Sequence, residues 1–158
     1  MRTIRLFPLP ALPPVETVTY SSETDYSLVV GPDAGVPPGG KRISWGDLTL
    51  SFSSDEQVFV AVDAYTNPAN WERRALTMPH VDRTCAAATD CEFDQHGIAS
   101  IPGDSPCLKF CAESRILTVE LDGGPLLSTI QCLSGLVVGL GEGGALLRMW
   151  IALDRDRP

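Results

Sequence analysis

The chain has 158 residues, 12 basic and 20 acidic side chains for a formal charge of −8, and 14 glycines and 13 prolines. That length suits one domain, and 44% hydrophobic with 20% charged residues excludes a wholly disordered chain; the frequent breakers exclude a coiled coil or helical bundle. No Lys/Arg run exists to release counterions from phosphates, so nucleic-acid binding is excluded as well.

The first residues place Arg2 and Arg5 before an apolar stretch, which imitates a secretory signal. Pro8, Pro10, Pro13 and Pro14 interrupt that stretch and Glu16 follows, so it reads as mature sequence. No run of about 18 uninterrupted apolar residues exists, and nothing is expected to span a membrane. Five cysteines leave at least one thiol without an intramolecular disulfide partner. With no export signal, a cytoplasmic location is expected.

In chain order, residues 2–7 and 15–20 alternate apolar and polar side chains and read as edge strands around the proline cluster. A strand over 26–30 stops at Gly31-Pro32, and 33–40 is a loop. The clearest period of two follows: Leu48, Leu50 and Phe52 alternate with Thr49 and Ser51, then a polar turn at 53–56 leads into a second strand over 57–62. Asn67-Pro68 is a helix start, since Asn caps and Pro at the first helical position loses no needed N–H. A short helix is expected over 69–76. Residues 79–112, with both histidines, four cysteines and no sustained periodicity, read as an irregular insertion.

The last third, 113–154, reads as an antiparallel meander. Strands over 115–121, 126–133, 136–140 and 145–153 are separated by Asp122-Gly123-Gly124, Ser134-Gly135 and Gly141–Gly144. Leu146, Met149, Trp150 and Leu153 also fit helical spacing, but the short length and the preceding glycine turn favour a strand. The expected fold is therefore mainly β in one domain, with antiparallel sheets in a sandwich- or roll-like arrangement, one short helix and a Cys-containing insertion.

Two nucleotide-binding spacings fail on chemistry. Gly35 through Gly40-Lys41 has phosphate-loop spacing, but Arg42 stands where a Mg²⁺-binding hydroxyl is needed and Pro37 and Pro38 remove loop N–H donors. Gly139-Leu140-Gly141-Glu142-Gly143-Gly144 satisfies the dinucleotide fingerprint, but only fourteen residues remain after it, too few for a βαβ unit. Cys85, Cys91, Cys107 and Cys111, with His80 and His96 nearby, could supply a tetrahedral zinc site, although neither pair has the tight two-residue spacing. Disulfides and independent thiols are the alternatives, and independent thiols are favoured. Cys132, in an apolar run, reads as a core residue. Pairing Cys91 or Cys107 with His96 as a nucleophile, or using His80 or His96 in a hydrolase, requires a base held in a polar hollow that sequence proximity does not supply.

Residues 113–152, from Glu113-Ser114-Arg115-Ile116 through Gly135-Leu136-Val137-Val138 to Arg148-Met149-Trp150-Ile151-Ala152, resemble a family of small uncharacterised bacterial β-meander proteins. The likeness covers about a quarter of the chain, and Gly139 and Gly141 stand where that family has acidic residues flanking the turn. It implies a β-meander and, for some members, an antitoxin-type role, with no catalytic residue carried over. Residues 85–113 hold Asp90, Glu92, Asp94, Asp104 and Glu113 against Lys109 alone, a net −4 that is half the charge of the chain. Together these point to a binding protein of immunity or antitoxin type with a basic protein partner, reached through Trp71, Asp90, Glu92 and Asp94. The alternative is a metal- or ligand-binding module organised by 80–111. The oligomeric state stays open.

Overall fold

The computed structural model describes residues 3–21, 26–32, 36 and 39–153. Fifteen strands carry the fold: β1 (Phe7–Pro8), β2 (Thr17–Ser21), β3 (Ser27–Gly31), β4 (Lys41–Trp45), β5 (Leu48–Phe52), β6 (Phe59–Tyr65), β7 (Glu72–Arg73), β8 (Arg83–Thr84), β9 (Ala87–Ala88), β10 (Ile98–Ile101), β11 (Cys107–Cys111), β12 (Ile116–Glu120), β13 (Ser128–Leu133), β14 (Leu136–Leu140) and β15 (Leu146–Ala152). Among the described residues, no helix is long and apolar enough to cross a membrane.

Two main sheets share one core. A six-stranded sheet has the order β10-β4-β5-β6-β3-β2 and a seven-stranded sheet the order β7-β11-β12-β15-β14-β13-β8. Alternation sends Leu48, Leu50 and Phe52 of β5 inward, where Phe59 and Val62 of β6 join them in register. They enter the same buried cluster as Phe110, Leu117, Val119, Ile130, Val138, Met149 and Ile151 of the other sheet. The Phe52 and Phe59 rings lie 5.5 Å apart between the layers. The expected mainly β, sheet-on-sheet fold is what the chain adopts.

The seven-stranded sheet is buried on its outer face too. Ile116, Val137 and Trp150 form a second buried cluster there, covered by Leu76 and Val81. Those two residues belong to a segment, 74–82, that runs from β7 at one edge of the sheet to β8 at the other. Six strand spacings of about 4.8 Å make roughly 29 Å, and ten extended residues reach about 33 Å. The strap has almost no slack. Its ends are tied: Arg74 N–H donates to the Phe110 carbonyl at 3.1 Å, and Asp82 exchanges backbone and carboxylate bonds with Thr129.

This span corrects the expected helix over 69–76. Asn67 does cap, accepting from Ala69 N–H at 2.9 Å, but only a 3₁₀ turn, Pro68–Asn70, follows before β7. A helix rising about 1.5 Å per residue could not cover the distance. The irregular insertion is likewise corrected, because 79–112 supplies β8 to β11. The last strand is β15, not a helix, and β13, β14 and β15 are joined by the expected hairpins. However, β12 pairs with β15 rather than β13, so Asp122-Gly123-Gly124 opens a crossover and the four strands form a Greek key, not a simple meander.

The N-terminal segment reaches the far end of this sheet. Ile4 and Leu6 are buried; Leu6 N–H donates to the Gly144 carbonyl and Leu146 N–H to that of Ile4. Gly144 has φ +82°, and a Cβ there would lie 2.7 Å from the Leu6 carbonyl, so the close approach requires glycine. The dinucleotide-like spacing is thus a hairpin turn with a docking place for residues 4–6. Residues 35, 37 and 38 of the phosphate-loop spacing lie outside the described residues. Replacing Phe52 by Ala removes a fully buried ring that packs against Phe59 and Phe93 and should lower stability by about 3–5 kcal/mol in urea unfolding.

Candidate functional site

The hairpin of β5 and β6 spans the sandwich from end to end, and the two ends carry different chemistry. At its turn, Asp55 and Glu56 are exposed, and Gln57 ties the turn to the next segment by donating to the carbonyls of Thr89 (2.7 Å) and Cys91 (3.2 Å). Residues 90–94 alternate: Cys91 and Phe93 are half-buried against the core, while Asp90, Glu92 and Asp94 are exposed. Extended chain places alternate side chains about 6.6–7 Å apart on one face. The three carboxylates expected to bind a partner are thus exposed together on a segment that Gln57 ties to the turn carrying Asp55 and Glu56. Lys41 lies over the Phe93 ring and donates to Gln57.

Asp94 also shapes its loop. Its Oδ1 accepts N–H bonds from Ile98 (3.0 Å) and His96 (2.8 Å), which hold the carboxyl below its usual range. Bonds from the Glu56 N–H and its own N–H do the same for Asp55. Both groups stay charged well into the acid range.

The opposite end holds a cleft of about 260 Å³ between the two sheets. Leu48, Ala64, Leu108 and Val119 give it apolar walls; Asp47, Thr66, Asn67, Asn70, Ser105 and Cys107 supply polar groups. Among the described residues, no lysine, arginine or histidine lines it. Ser105 Oγ accepts from Asp47 N–H at 2.8 Å and donates to its carboxylate at 3.3 Å. The intervening turn is fixed, because Gly46 has φ +57° and a Cβ there would lie 2.2 Å from Ser105 Oγ.

Trp71, also a candidate for partner binding, lines the cleft and not the segment of Asp90, Glu92 and Asp94. Only 8% exposed, it packs between the Tyr20 and Phe110 rings and donates from Nε1 to Thr66 Oγ1 at 2.7 Å. The capped turn at 67–70 reverses the chain and drives the indole into the gap between the sheets, where it lines the cleft.

The four-thiolate zinc site does not assemble. Cys107 and Cys111 occupy opposite ends of β11, four residues and so about 13 Å apart. Cys85 follows β8 at the far edge of the same sheet, with its N–H on the Gln131 carbonyl, and Cys91 lies near the β5–β6 turn. Among the described residues, no three His, Cys, Asp or Glu side chains converge on one point. All five cysteines are free thiols. Cys132 is a buried core residue, as expected, with its thiol pushed up to about 12 by burial and, secondarily, by Cys85.

The nucleophile readings fail as well. Burial, then Asp90, raise the Cys91 thiol, the wrong direction for a thiolate. The His80 side chain is 88% exposed near Asp82, and His96 is exposed beside Gln95. Neither imidazole lines the cleft.

Cys111 is the thiol with a favoured anion. The Ser114 side chain, then the backbone N–H groups of Ser114 and Leu76, lower it to about 7 from the ordinary 9.0. It ends β11 near Leu76 of the strap, whose carbonyl lies 2.9 Å from Ser114 Oγ and shares that single O–H with the thiol.

No model of a known protein family and no curated protein matches this chain.

Because the folded Cys111 value lies below the unfolded one, its contribution to stability is complete above pH 9 and lost as the pH falls through about 7. Urea midpoints should therefore rise between pH 7 and 9 in the parent protein. The rise should flatten in Cys111→Ala; an unchanged slope would show that the thiolate is not held in the folded state.

Proposed function

We propose that this is a non-enzymatic binding protein of immunity or antitoxin type, which engages a basic protein partner through its acidic end. The observation that carries this reading is that Asp90, Glu92 and Asp94 are exposed while Cys91 and Phe93 pack inward, on a segment that Gln57 ties to the turn carrying Asp55 and Glu56. Asp94 and Asp55 are already held by backbone N–H bonds, so these two carboxylates lose little freedom on meeting Lys or Arg side chains. Their combined field steers a cationic partner over about one Debye length, ~8 Å at physiological ionic strength. The net charge of −8 and the resemblance of 113–152 to proteins with antitoxin-like members support the same reading. A cytoplasmic location belongs to this proposal.

A second reading, a small-ligand-binding module organised partly by 80–111, is favoured by one observation. Ser105, Pro106 and Cys107 of that segment form part of the cleft. Its metal-binding form has no assembled ligand set to stand on.

Charge reversal tests the first reading. Asp90→Lys with Glu92→Lys should weaken capture of a basic partner by about ten-fold or more at low salt, whereas Glu113→Lys with Glu142→Lys, an equal charge change at other exposed positions, should have a much smaller effect. Equal losses in both double variants would reduce the effect to net charge and remove the 90–94 segment as the interface.

A further inference from the structure

From the cleft at the end opposite the 90–94 segment, we infer a binding site for a small organic amine, with its apolar body between the sheets and its ammonium group at Asp47. This rests on the small-ligand reading of the cleft and is independent of the acidic end.

The lining selects the charge of the ligand. Among the described residues, Asp47 is the one carboxylate that lines the cleft, no basic side chain lines it, and Asp47 has no ion-pair partner. An anion would meet Asp47 with nothing to compensate it, whereas a cation completes the site. The carboxylate is also positioned in advance. Ser105 Oγ donates one bond to it and accepts one from the Asp47 backbone N–H, and Ser105 lies so close to Gly46 that only glycine fits there.

The remaining polar groups suit an ammonium that makes several hydrogen bonds. Among the described residues, the Asn70 amide makes no hydrogen bond, so its oxygen is an open acceptor. Thr66 Oγ1 already accepts from Trp71 Nε1 and retains a second lone pair. The apolar walls give the ligand body its place. A volume of about 260 Å³ is roughly nine times the ~30 Å³ share of one water molecule, which fits a compact alkyl- or arylalkylamine and not a nucleotide.

The experiment titrates the intact protein with benzylamine, benzyl alcohol and benzoate, followed by amide NMR shifts, in the parent and in Asp47→Asn. The expected result is saturable shifts at Leu48, Asn70 and Leu108 with benzylamine, binding about five-fold tighter than the alcohol, and no saturation by benzoate. Asp47→Asn should bring the amine down to the level of the alcohol while the remaining spectrum stays that of the folded protein. Saturable binding with no preference for the amine, or a preference that survives Asp47→Asn, overturns the amine assignment and leaves the small-ligand reading in place. Absence of saturation by all three probes overturns both.

Discussion

The structure depends on the double burial of the seven-stranded sheet. Its inner face meets the six-stranded sheet, and its outer face meets the strap of 74–82. Every residue of β14, at the heart of this sheet, is buried, which explains why 136–140 reads as continuous apolar chain rather than as an alternation. Thr118 shows the strength of the constraint. It is fully buried, and its Oγ1 has no hydrogen-bond partner among the described residues, at a cost of about 1–3 kcal/mol that the surrounding packing offsets.

Covering the outer face also dictates local structure. The strap must cross from one sheet edge to the other, so its residues are extended whatever their helical propensity. Its two ends become two-residue parallel strands, β7 and β8, that cap the edges of the sheet. The same geometry brings Leu76 and Ser114 together at Cys111, where a short turn supplies the hydrogen bonds that favour a thiolate. A buried thiol with such an environment is a consequence of how the strap is fastened.

Because the strands run from end to end, each end collects side chains from distant parts of the chain. One end gathers Asp55 and Glu56 with Asp90, Glu92 and Asp94; the other gathers Asp47, Asn70 and Ser105 around an apolar hollow. The sandwich keeps the exposed carboxylates at one end apart from the recess at the other. Ser134 adds a fastening between the layers: its hydroxyl accepts from Glu16 N–H at 2.6 Å and donates to the Glu16 carbonyl at 2.7 Å, joining the lead-in to β2 to the β13–β14 turn.

Much of the fold was legible because period two and turn glycines are local signals. The β5–β6 hairpin and the strands near 116–120, 128–133, 136–140 and 146–152 follow from them directly, whereas the inward packing of Cys91 and Phe93 between exposed carboxylates came only with the structure. Strand partners were not legible, since the sequence of 121–127 does not say whether β12 turns back on β13 or crosses to β15. The cleft was hidden for a related reason: Asp47, Asn70 and Ser105 are unremarkable loop residues until the chain brings Ser105, 58 positions further on, back to Asp47. What the sequence determined by itself was the mainly β character, the places of its turns and the concentration of acid around 85–113. What only tertiary structure decided was which thiols stand apart, where Trp71 lies, and that 69–76 is not a helix, because each depends on spanning or filling the space between sheets rather than on neighbours along the chain.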